Sequence, residues 1–264
     1  MGKASGPLPF TVVGKASGPL PFTVVGKASG PLPAILVYHR FGASAVDSMT
    51  VRTSAFQAQL EWLRSNGFEV IPLARLVDGL ARGGKLPAKA VVITVDDGHK
   101  TVLSEMLPLV RRERVPVTLF IYPSAISNAS YALKWSELEA LHQAGFDIQS
   151  HTYWHPNFKQ QKRRLSADEY RELLRSQLGK SRAALAKHLG VEADMLAWPF
   201  GIYDDELLAA AAAAGYRAAF SLDRRHPRAG DRLLALPRYL ITDAVSLREF
   251  ARMLEAGSPA GTRP

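Results

Sequence analysis

From Ala34 onward, short continuously apolar runs alternate with longer amphipathic stretches, and this alternation constrains the fold more than any single motif does. Runs such as Ala-Val-Val-Ile-Thr-Val at 90–95 and Val-Thr-Leu-Phe-Ile-Tyr at 117–122 read as strands covered on both faces. Strands are expected over 34–40, 68–73, 90–97, 116–123, 146–152, 195–201, 216–222 and 234–241. Between them, Ser136-x-x-Glu139, Ser166-x-x-Glu169 and Ser246-x-x-Glu249 are capping-box patterns that open helices. After Thr53, Phe56, Leu60 and Leu63 fall on one helical face, and Asn66-Gly67 ends the segment. Such alternation predicts an α/β fold with a parallel sheet, open or closed into a barrel, and eight strands in a single domain favour a (β/α) barrel, complete or incomplete.

The first 33 residues stand outside this pattern. They are two full copies and one partial copy of Gly-Lys-Ala-Ser-Gly-Pro-Leu-Pro-Phe-Thr-Val-Val, a period too short and too proline-rich for a helical solenoid. Residues 1–33 are therefore read as an artefact or a linker, and residues 34–264 as one folded domain. The repeat holds three lysines and no acid, so of the formal net charge of +9 the body carries +6. Its basic residues are scattered among acids, with Lys162-Arg163-Arg164 the one dense run, and no nucleic-acid partner is expected. No apolar run reaches the roughly 18–20 residues of a membrane helix, so no transmembrane segment is expected. With no cysteine, the chain has no thiolate nucleophile, no disulfide and no cysteine zinc site; any metal must rest on histidine and carboxylate.

In folds of this kind chemistry gathers where strands end at their carboxyl edge. Asp96 and Asp97 end one apolar run against Gly98, where a glycine bend lets two adjacent carboxylates approach one site. At another strand end His151 and His155 stand four apart, a spacing that puts both imidazoles on one face of a helical turn and within reach of one ion. Position 152 is threonine, which excludes the zincin pattern and its catalytic glutamate. Trp198 and Phe200 flank Pro199 before Gly201, and aromatic faces in a cleft suit sugar rings. His39 closes the first strand. His99 follows the Asp-Asp-Gly turn and is close enough to line the cleft, whereas His142, His188 and His226 are read as non-catalytic.

Thr-Val-Asp-Asp-Gly, Ser-His-Thr-Tyr-Trp-His and Trp-Pro-Phe-Gly, in that order, resemble the polysaccharide deacetylases of the NodB-homology type, carbohydrate esterase family 4. The resemblance runs from about Ala34 to Thr242 and implies a distorted (β/α) barrel. It implies Asp96 as general base and Asp97, His151 and His155 as ligands of one divalent ion, zinc with cobalt, nickel or iron as alternatives. It also implies that the backbone N–H of Phe200 helps hold the oxyanion. Two departures stand out: Leu196-Ala197 lies where most of the family has arginine, and no Leu-x-x-His near the C-terminus supplies an acid. In this the chain is similar to the biofilm deacetylases of poly-β-1,6-N-acetylglucosamine, whose Tyr-His motif matches Tyr38-His39; the resemblance implies His39 as general acid. Arg238, at another strand end, is a candidate substitute for the missing arginine. Tyr38, Trp198, Phe200 and Arg238 are the expected substrate-binding residues. The expected partner is an extracytoplasmic polysaccharide that loses N-acetyl groups as acetate; peptidoglycan, chitin-like oligomers, xylan esters or a silent sugar-binding role remain open at this level.

Overall fold

The structure is a computed structural model that describes residues 32–255. The repeat, except for Leu32 and Pro33, lies outside the described residues.

In chain order the elements are β1 (Ala34–Tyr38), β2 (Arg40–Gly42), β3 (Thr50–Arg52), α1 (Thr53–Ser65), β4 (Glu69–Val70), α2 (Leu73–Arg82) and β5 (Ala90–Asp96). A π-helical turn, Val102–Met106, runs into α3 (Leu107–Glu113), followed by β6 (Thr118–Ile121), α4 (Trp135–Gln143) and β7 (Asp147–Ser150). Next come α5 (Phe158–Arg164), α6 (Ala167–Leu189), β8 (Met195–Ala197), a 3-10 turn over Pro199–Gly201, α7 (Asp205–Ala213), β9 (Ala218–Phe220), β10 (Tyr239–Leu240) and α8 (Leu247–Glu255).

Eight strands form one sheet in the order β10-β1-β5-β6-β7-β8-β9, with β4 beside the start of β5. Every pairing in it is parallel. The sheet curls without a continuous seam: between its edges, the described residues provide a bridge from Phe220 to Leu236, three residues short of β10. This is the incomplete barrel that the alternation predicts.

Strand parity divides the core. Ile35 of β1, Ala90 and Val92 of β5, Phe120 of β6, Met195 and Ala197 of β8, and Phe220 of β9 face inward, and α2 closes that cluster with Leu73, Leu76, Val77 and Leu80. The opposite faces, with Leu36, Val91, Ile93, Val95, Leu119 and Ile148, pack beneath α1, α3, α4 and α8. A third cluster joins Leu196 and Ala219 to Phe158, Tyr170, Leu174, Leu207 and Leu208 of α5, α6 and α7. The side chains in these clusters are almost wholly removed from water. Each buried aliphatic or aromatic side chain contributes roughly 1.5–3 kcal/mol.

Local expectations hold unevenly. The helix after Thr53 buries Phe56, Leu60 and Leu63 as its periodicity requires. At α6 both halves of the Ser166–Glu169 capping box form, and at α8 the Ser246 hydroxyl accepts from the Glu249 N–H. Ser136 is a correction: the cap of α4 is Lys134, two residues earlier, and Glu137 accepts from its backbone N–H. The expected strand at 68–73 shrinks to β4 because Pro72 precedes α2 and supplies no N–H for a ladder. The run at 195–201 splits at Trp198, where Pro199 opens the 3-10 turn.

Candidate active site

Inward parity turns four distant residues to the same side of the sheet, three of them at its carboxyl edge. Asp96 shares the inward face of β5 with Val92 and Thr94, His39 follows the inward Val37, and His151 follows the inward Gln149. Arg238 precedes β10 on the parity that meets Ile35. Asp97 would point outward on a regular strand, but its φ of 75° in the left-handed region folds it back, and the Gly98 N–H donates to the Asp96 carbonyl at 3.0 Å. Gly98 itself has φ 77°, and a Cβ there would meet Ile121 Cδ1 at 2.8 Å, so the turn requires glycine.

The two histidines converge by a different route from the helical turn expected of them. Residues 151–155 form no helix; Thr152 at φ 64° and His155 at φ 60° reverse the chain, and the rings come to 4.6 Å between centroids. Asp97, Thr152, His155 and Phe200 are four of the six non-glycine residues with positive φ among those described. Such conformations cost about 1–3 kcal/mol each and persist where surrounding structure over-determines them.

His151 Nε2 lies 3.6 Å from Asp97 Oδ1, and His155 Nε2 lies 3.8 Å from the same oxygen. One ligand atom from each of Asp97, His151 and His155 falls within 4.8 Å of the others, which makes this trio a candidate metal site. The donor chemistry fits a divalent ion. His151 Nδ1 sits 2.8 Å from the Ala197 carbonyl, an acceptor, so Nδ1 carries the proton and the Nε2 lone pair faces the site. Burial and the neighbouring His151 push the pKa of His155 down to about 4, keeping its imidazole neutral as ligation requires.

Asp96 is 2% exposed, with Oδ2 3.8 Å from His151 Nε2. The fully buried Arg238 grips it through two parallel hydrogen bonds, Nη1 to Oδ1 at 2.8 Å and Nη2 to Oδ2 at 2.7 Å. Nε of Arg238 donates to the Ser221 carbonyl, and Nη1 also reaches Thr94 Oγ1. Burial alone would raise the pKa of Asp96, but the guanidinium overrides it and holds the carboxyl at about 2. His39 is partly buried, its Nδ1 has no hydrogen-bond partner, and desolvation lowers its pKa against the opposing pull of Asp96 and Asp97.

Three of the expected substrate contacts are corrected. Trp198 is wholly buried, because strand parity turns it toward α5 and α6, where it meets Phe158 edge-on and its Nε1–H donates to the Leu234 carbonyl. Tyr38 is buried on the outer face of β1, its hydroxyl donating to Gln59 of α1. Arg238 is spent on Asp96 and has no surface to offer a sugar. Phe200 is 56% exposed, and its ring packs edge-on against His155 at 4.6 Å.

Tyr122, which motif reading did not single out, also belongs to this edge. It directly follows β6, with its ring 5.3 Å from His155 and 6.4 Å from His151. Burial and a hydrogen bond to the Tyr131 hydroxyl raise its pKa, so the phenol stays neutral. Its sequence signal is its place at the end of an apolar strand. His99 stacks on Tyr131 and bonds Thr101 Oγ1. His142 and His188 lie in α4 and α6, and His226 bridges backbone carbonyls.

Set beside known proteins, residues 83–219 match the polysaccharide deacetylase family. The poly-beta-1,6-N-acetyl-D-glucosamine N-deacetylase of Escherichia coli K12 is 26% identical over 254 residues, which cover 82% of this chain and 38% of that protein. The protein of the same name from Staphylococcus aureus MRSA252 is 24% identical over 213 residues, covering 78% of this chain and 73% of it. This chain thus spans about two fifths of the E. coli relative. Among solved structures, the Streptococcus pyogenes deacetylase PplD in complex with acetate superposes with a TM-score of 0.76 at 23% identity, covering 85% of this chain and 99% of that one. IcaB from Ammonifex degensii gives 0.76 at 22% identity, covering 86% and 98%.

Proposed function

The chain belongs to the polysaccharide deacetylase family, and from that premise we propose that it is a hydrolase that removes N-acetyl groups from N-acetylglucosamine residues of a poly-β-1,6-linked exopolysaccharide. The observation that carries this reading is Asp96, a buried carboxylate held ionised by Arg238 next to the Asp97–His151–His155 trio. A sugar-binding module needs no base there.

Asp97, His151 and His155 would hold the ion, zinc in our reading, with cobalt, nickel or iron able to take the same donors. Bound there, a divalent cation supplies Lewis acidity, lowering the pKa of a water and polarising the acetamide carbonyl. Asp96 takes the proton of the attacking water, and its low pKa keeps it in the accepting form throughout the neutral range. Arg238 fixes the carboxylate plane, replacing the arginine that Leu196-Ala197 does not provide, and acts through Asp96 rather than on substrate. The backbone N–H of Phe200 donates to the developing oxyanion. His39 returns a proton to the departing amine, and the products are acetate and a free amino sugar.

We place the catalytic domain at residues 34–264 and leave the repeat at 1–33 outside it. No helix among the described residues is long and apolar enough to cross a membrane. The substrate class argues for an extracytoplasmic setting.

Acetate release from β-1,6-linked N-acetylglucosamine oligomers, measured beside β-1,4-linked ones, tests the substrate; equal or greater release from the β-1,4 series overturns it. Asp96→Asn should keep its metal and lose acetate release by a factor of about 100 or more. His39→Ala should behave alike, and wild-type turnover in either variant removes that residue from the mechanism.

A further inference from the structure

Large apolar side chains standing in water are few among the described residues, and the aromatic ones share one edge. They are Tyr131 (41% exposed), Trp154, Phe200 and Tyr203, on the loops that leave β6, β7 and β8 at the carboxyl side. Two of them, Phe200 and Tyr131, belong to a continuous series of side-chain contacts that runs past His155 of the trio. Phe200 meets His155 at 4.6 Å, His155 meets Tyr122 at 5.3 Å, the Tyr122 and Tyr131 hydroxyls bond each other, and Tyr131 lies nearly parallel to His99 at 6.0 Å and 11°.

Tyr131 is held in place despite its exposure. Its ring is backed by His99 and its hydroxyl tied to Tyr122. Its carbonyl accepts from the Lys100 N–H at 2.9 Å, and the Lys100 ammonium donates to the neighbouring Ser130 carbonyl at 3.0 Å. An ordered aromatic face left in water leaves favourable burial unrealised, and a flat apolar ligand would recover it.

We propose that Tyr131 is a specificity-determining residue. Its ring is a platform for a pyranose ring of the polymer next to the one being deacetylated, reached from Phe200 along the contacts through His155 and Tyr122. The inference rests on the deacetylase reading above. Contact with a remote ring lets the chain use binding energy that a single sugar cannot supply, so turnover rises with oligomer length.

The test compares wild type, Tyr131→Ala and Tyr131→Phe on a β-1,6-linked N-acetylglucosamine pentamer and on an aryl acetate ester, which carries no pyranose ring to stack. Tyr131→Ala should lose about tenfold in kcat/KM on the pentamer, the equivalent of one aromatic contact, and nothing on the ester. Tyr131→Phe lacks the hydroxyl bond but keeps the ring, and should stay within about twofold of wild type on both substrates. Equal losses of Tyr131→Ala on pentamer and ester, or no loss on either, overturn the platform. A loss in Tyr131→Phe as large as in Tyr131→Ala makes the hydroxyl tie the working part and overturns it too. Wild type that cleaves the ester but releases no acetate from any N-acetylglucosamine oligomer overturns the underlying deacetylase reading instead.

Discussion

Asp96 shows how one contact sets the chemistry of a residue. Burial favours its neutral form, and Arg238 reverses that preference, so the folded carboxyl titrates at about 2, below its ordinary value of 3.8. The sign follows by linkage: the pair stabilises the fold above the ordinary carboxylate pKa, and the contribution is lost as pH falls through the folded value. In Arg238→Met the burial acts without its counter-charge and the pKa of Asp96 rises. Because the base works deprotonated, the acid limb of the kcat/KM profile should then move to higher pH, and Arg238→Lys, which keeps a charge, should move it less. An acid limb that stays put in Arg238→Met would remove Arg238 from the positioning role. The same variant strips a fully buried ion pair of one partner, so unfolding free energy should fall by about 3–5 kcal/mol.

At the scale of the element, the site is made by strand ends that stop being strands. β5 ends as Asp97 turns left-handed, β7 gives way to the reversal at Thr152 and His155, and β8 runs into the 3-10 turn that exposes Phe200. That last turn depends on Gly201. Its φ is 68°, and a Cβ there would lie 2.7 Å from the backbone nitrogen of Leu222 and 2.8 Å from its Cβ, atoms that cannot swing aside. Gly201→Ala should cost about 1–3 kcal/mol in chemical denaturation. It should also lower kcat by displacing the neighbouring Phe200 backbone. Unchanged stability would mean that the chain at Leu222, just after β9, yields to make room.

Across the whole molecule, the two ends of the described chain meet at one ring. The nitrogens of His226 lie 2.8 Å from the carbonyls of Leu32, just before β1, and of Met253 in α8. The ring also packs edge-on against Tyr239 of β10. Far from the trio in role, this ring bears on the sheet edge that carries Arg238. His226→Phe should lower thermal stability by about 1–3 kcal/mol, the cost of losing the imidazole's hydrogen bond to a backbone carbonyl, with kcat unchanged. A fall in kcat without loss of stability would instead assign His226 a place in catalysis.

How far the molecule was legible beforehand follows from the range of the forces involved. The fold class was readable because continuous apolar runs and capped amphipathic segments each declare their own burial, as at 90–95 and at the Ser166 cap. The residues proposed as base and ligands were readable as candidates because Asp96-Asp97 and His151…His155 are close in sequence. Orientation was not. Trp198 and Phe200 are two apart and look equivalent, yet parity buries the first and a left-handed turn exposes the second. Arg238 and Asp96 are 142 residues apart, and their bidentate pair exists because β10 and β5 flank β1 in the sheet. Sequence alone thus determined which reactive side chains stand near one another along the chain and the kind of sheet that holds them. Tertiary structure decided which side chains face the cleft, which charge holds Asp96 ionised and where the rings lie, because strand parity at a break and long-range pairing exist only once the sheet has curled around them.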